Sequence, residues 1–64
     1  MSRESMVRSF LACRAAGDTM DAAWQFVAVE LSDMIGEYVR EGLDTSRLSE
    51  LQEWWANLDY RDIA

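Results

Sequence analysis

Apolar and polar positions between Thr19 and Glu41 follow a helical beat. Met20, Trp24, Val27, Leu31, Met34 and Tyr38 are spaced four, three, four, three and four residues apart. That spacing puts all six on one stripe, in the a/d pattern of a helix–helix seam. Proline is absent, and the one internal glycine, Gly36, falls off the stripe. The pattern predicts one helix over residues 19–41, roughly 30 Å long at ~1.5 Å per residue. Two apolar residues break the rule. Phe26 and Val29 lie roughly on the opposite side, and a helix apolar on more than one side is expected to be covered on more than one side.

The same reading places a helix on either side of this one. Met6, Val7, Phe10 and Leu11 recur at helical spacing over residues 3–16, with Arg8 and Arg14 off the main stripe. Ser2 is the expected N-cap and Glu4 favours the first turn. Gly17 reads as the C′ residue that ends this helix, with Asp18 as the next N-cap and Asp21 at N3. Gly42 ends the long helix in the same way, and Leu43 folds back on its last turn. Asp44 is then the expected cap of a third helix over residues 45–58, with Leu43 and Leu48 at the spacing of a hydrophobic staple. Leu48, Leu51, Trp55 and Leu58 form its stripe, spaced three, four and three. So short a connection makes the second and third helices antiparallel neighbours, a helical hairpin. Residues 59–64 have no firm pattern, but Tyr60 and Ile63 are suited to late contacts. The expected fold class is all-α: one small domain over residues 1–64, with a short N-terminal helix, a long central helix and an antiparallel third.

Size changes this picture. A chain of 64 residues buries only about 60% of the surface that its unfolded form exposes, so an isolated core is marginal. Small domains compensate with disulfides, a metal or a partner. With one cysteine, Cys13, and no histidine, neither an internal disulfide nor a zinc site is available, and no cofactor or metal is expected. Half the residues are apolar, enough for a core and one interface, so a homodimer is expected in which the long helices or the hairpins pack together.

The net charge of −6 comes from twelve carboxylates and six basic residues, all of them arginines. This balance argues against direct binding to nucleic acid, which needs clustered Lys and Arg, and against an anionic membrane surface. The charge is uneven: +2 over residues 1–16, −5 over 17–42 and −3 over 43–64. A basic first segment against an acidic second one, within a subunit or between subunits, is the natural pairing. No run reaches the ~20 apolar residues of a membrane span, and the N-terminus lacks the apolar region of a secretory signal. A cytoplasmic protein with a reduced thiol is expected.

Candidate chemistry is sparse. Cys13 sits near the end of the first helix, where the dipole disfavours a thiolate, and reads as a packing residue. Glu30, Asp33, Glu37 and Glu41 recur along one helix face, but helix-pair metal sites normally add histidine, so a solvated ridge is expected. An enzyme is not expected, nor a small-molecule substrate. Binding is more promising. Trp54 and Trp55 point about 100° apart on a helix, so Trp55 belongs to the core and Trp54 to the edge, where an indole is a good anchor. Phe26 and Val29 are unclaimed by the seam, and Tyr38, Arg40 and Arg47 lie near the hairpin turn, with residue types enriched at interfaces.

These features predict a small acidic regulator or inhibitor that docks an apolar, aromatic helical surface onto a larger protein. Phe26, Val29, Tyr38, Arg40, Arg47 and Trp54 are the expected partner-binding residues. Accessory proteins of phages and other mobile elements are often of this kind, which makes a viral protein acting in the host cytoplasm the expected setting. Two alternatives remain: a structural subunit of a homo- or hetero-oligomer, and an acidic DNA mimic that blocks a nucleic-acid-binding protein.

Overall fold

A computed structural model of the chain describes residues 1–63. Among these residues three α-helices, α1 (Arg3–Ala15), α2 (Met20–Arg40) and α3 (Ser46–Asn57), precede one 3-10 turn at Tyr60–Asp62. Among the described residues there is no strand, and no helix is long and apolar enough to cross a membrane. The longest dimension of the molecule, 37 Å, is little more than the ~32 Å that the 21 residues of α2 span at ~1.5 Å each.

Local chemistry fixes each boundary. Ser2 caps α1 as expected: its Oγ accepts from the Ser5 N–H, and Ser5 Oγ accepts from the Ser2 N–H in return. This is a capping box with serine where Glu or Gln is usual. Gly17 and Gly42 both take positive φ, +102° and +71°, and both complete Schellman motifs. The Asp18 N–H donates to the Cys13 carbonyl and the Gly17 N–H to that of Arg14. At the second turn, the Leu43 N–H reaches the Tyr38 carbonyl and the Gly42 N–H that of Val39. Only a residue free of Cβ strain takes this conformation cheaply, so the helix breaks at Gly17.

The two interior N-caps lie one residue later than expected. Thr19, not Asp18, caps α2, with its Oγ1 accepting from the Ala22 N–H at 3.1 Å. Thr45, not Asp44, is the N-cap residue of α3, although it makes no side-chain capping bond. Asp44 Oδ1 instead accepts from both the N–H and the hydroxyl of Ser46, an Asx turn that leads into the helix. These two hydrogen bonds hold the Asp44 carboxyl below its ordinary pKa. The shift moves the expected staple out of register, and Leu43 is left half exposed.

The core consists of Met6 and Phe10 from α1, Ala23, Val27 and Leu31 from α2, and Leu48, Leu51 and Trp55 from α3. Helix α2 packs against both of the others, so its stripe is shared rather than given to α3 alone. Sharing moves the buried centre line to Ala23–Val27–Leu31, leaving Met20, Trp24, Met34 and Tyr38 as partly buried flanks. Along α2 and α3, Trp24 meets Trp55 while Ser32 meets Gln52. That reversed order makes the hairpin antiparallel. Tyr60, beyond α3, lies 6.2 Å from Phe10 between ring centroids, and its hydroxyl donates to Asp21. The tail is thereby folded onto the α2 N-terminus.

Candidate functional site

The surface left for binding is set by one interior pair. Trp24 Nε1–H donates to the Trp55 carbonyl and Trp55 Nε1–H to the Trp24 carbonyl, both at 3.2 Å. The rings stack with centroids 6.5 Å apart and planes within 11°. Phe10 meets Trp55 edge-on at 6.0 Å. This reciprocal clasp fixes how α3 is rotated against α2. The preceding residue, Trp54, is then turned about 100° away from the seam, towards α1, where the Arg3 guanidinium lies 5.1 Å over its ring.

Trp54 forms one wall of a groove of about 480 Å³ between α1 and α3. Val7 and Leu11 supply the apolar wall opposite, and Arg3, Arg8 and Glu4 line the rim. A second groove, of about 440 Å³, runs between α2 and α3 past Trp24, Ala28, Ser32, Ser49 and Ala56.

On the outer face of α2, Phe26 and Val29 are 48% and 55% exposed, one turn apart and flanked by the exposed carboxylates of Glu30 and Asp33. This is the apolar ridge that the seam left unclaimed. Tyr38 packs against the core edge, while Arg40 is exposed at the end of α2 and reaches back over Gly36. Arg47 lines a separate, smaller groove with Ser2, Arg3, Glu50 and Leu51. The six sequence-predicted residues therefore occupy three places: Phe26 and Val29 on the ridge, Tyr38, Arg40 and Arg47 around the hairpin end, and Trp54 in the α1–α3 groove. They do not form one continuous site.

Leu11 is the groove residue that the sequence reading assigned to the α1 stripe. It is 44% exposed, because the buried row of α1 runs Met6–Phe10 and Leu11 falls in the adjacent row with Val7. The signal lay in the spacing: Val7 and Leu11 are four apart, one step round from Met6 and Phe10.

Electrostatics add a second pattern. Among the described residues the only ion pair joins Arg61 to Asp59, at 3.1 Å. The basic α1 packs against the acidic α2, yet no arginine of α1 pairs with a carboxylate of α2. Arg14 instead donates to the Asp18 carbonyl, and Arg3 covers Trp54. Cys13 is half-buried, and desolvation, together with the Asp18 carboxylate, raises its pKa above that of an ordinary thiol, which keeps it protonated and a poor nucleophile. Among the described residues no three His, Cys, Asp or Glu side chains are grouped to hold a metal ion. No protein-family model, curated protein or solved structure matches the chain.

Proposed function

We propose that this chain is a protein-binding regulator or inhibitor that lays the outer face of α2 into an apolar groove on a larger protein. One observation carries the reading: Phe26 and Val29 stand about half exposed on the longest helix, while the core closes without them. An exposed apolar pair a turn apart on a helix is the anchor spacing by which amphipathic helices enter grooves. Glu30 and Asp33 beside the pair call for a groove with a basic rim, since complementary charge steers encounter and fixes register. Trp54, Tyr38, Arg40 and Arg47 lie on other faces and act, in this reading, as secondary contacts to a partner that wraps the hairpin.

The test compares capture of a partner from lysate of the source cell by the wild-type chain and by Phe26→Ser/Val29→Ser. The double variant is expected to lose the captured protein while keeping its helical circular dichroism and melting temperature. Equal capture by both chains would place the docking surface elsewhere. Trp54→Ala in the same experiment reports whether the groove contributes.

A further inference from the structure

We infer that the α1–α3 groove receives the α2 ridge of a second copy of this chain, so that self-association masks the ridge assigned above to the partner. The inference deepens the proposed function by adding regulation of the same surface, and three observations support it.

The first is charge. The groove rim presents Arg3 and Arg8 against the single Glu4, on a chain whose net charge is −6. The ridge is flanked by Glu30 and Asp33. Arg8, Glu30 and Asp33 are exposed, and none of them belongs to an ion pair among the described residues. Each patch thus offers the charge that the other lacks, while the fold keeps the two apart within one copy.

The second is apolar fit. Val7, Leu11 and Trp54 line a groove of about 480 Å³, and Phe26 and Val29 stand about half exposed on the outer face of α2. The third is length. From Arg3 to Leu11 the groove follows α1 for about 12 Å, and from Phe26 to Asp33 the ridge runs about 10 Å, both at ~1.5 Å per residue. Ridge and groove are different patches, so a head-to-tail contact is heterologous and continues from copy to copy until a ring closes.

Charge reversal tests this on the purified chain. Arg8→Glu makes the groove acidic, and Glu30→Arg/Asp33→Arg makes the ridge basic. All three positions are exposed, and circular dichroism checks that each variant folds. In sedimentation equilibrium, the wild-type chain is expected to associate as its concentration rises, and less so at high salt. Each variant alone is expected to associate about tenfold more weakly or worse, because like charges then face each other across the contact. An equimolar mixture of the two should recover association, because each acidic patch then meets a basic one. A wild-type chain that stays monomeric up to millimolar concentration overturns the inference. So does a mixture of folded variants that associates no better than either alone. Because no partner is present, these failures leave the proposed function standing. Conversely, loss of the proposed function in lysate capture would not by itself remove self-association.

Discussion

Each indole of the Trp24–Trp55 pair satisfies its N–H on the other's backbone carbonyl, so the two residues act as one cross-helix bracket. Trp55 is 1% exposed, and its hydrogen bond has little water to fall back on. Trp24 is only partly buried, which allows its hydrogen bond to be tested apart from its packing. Trp24→Phe keeps an aromatic ring in the seam but removes the donor. It also leaves the Trp55 carbonyl without this partner. That carbonyl still accepts from the Leu58 N–H, so the expected loss is about 0.5–1.5 kcal/mol, that of one net hydrogen bond, read as a lower urea midpoint with an unchanged slope. If stability is unchanged, water replaces the indole freely and the bracket contributes nothing. At this scale the consequence is positional: the bracket turns Trp54 onto α1 and thereby builds the groove.

The helices meet through two glycine turns, and each turn depends on a positive φ. At Gly17 a Cβ would meet nothing within 4 Å, so Gly17→Ala is a test of conformation rather than of space. Its expected cost is about 1–2 kcal/mol, the penalty of left-handed backbone for an L-residue, measured by thermal or urea denaturation. The tail offers a second test. Tyr60 donates to Asp21, and this hydrogen bond, with partial desolvation, raises the phenol pKa above its ordinary value. A group whose folded pKa is raised stabilises the fold below its unfolded pKa of about 10, and this contribution is lost as pH rises through the folded value. The tail should therefore release from α2 in the alkaline range, seen as a change in the Tyr60 ring environment by NMR. Tyr60→Phe should remove that transition.

The same elements show what a sequence makes legible. The three helices and both glycine breaks followed from three- and four-residue spacing and from the two C′ glycines, all local signals. The N-caps slipped by one residue because Asp18 and Thr19, like Asp44 and Thr45, are adjacent residues both fit to cap. Local chemistry does not choose between neighbours of that kind. Phe26 and Val29 were legible because their absence from the stripe is itself a pattern. The groove was not, because Leu11 and Trp54 meet across it only after residues 31 positions apart have set the rotation of α3.

For the whole molecule, the decisive fact is how little core there is. Among the described residues, eight buried apolar side chains hold the three helices together, and a chain of this length has about 3–10 kcal/mol of stability at ~0.05–0.15 kcal/mol per residue. Phe10 is fully buried and touches both Trp55 and Tyr60, so it ties α1 to α3 and to the tail. Phe10→Ala is expected to cost about 3–5 kcal/mol, from about a third to all of that range, and to lower the melting temperature and urea midpoint far below those of the wild type. Phe26→Ser and Val29→Ser remove comparable apolar bulk from the exposed ridge, and surface changes of this kind stay within about 0.5 kcal/mol. The two outcomes separate core from docking surface in one denaturation series. A ridge variant that melts like Phe10→Ala at low concentration would mean that the ridge is buried within a single copy, and both docking readings would fall with it. Should the ridge variant match the wild type when dilute but melt lower than it when concentrated, the ridge stabilises the fold only through association, as linkage to a second copy requires.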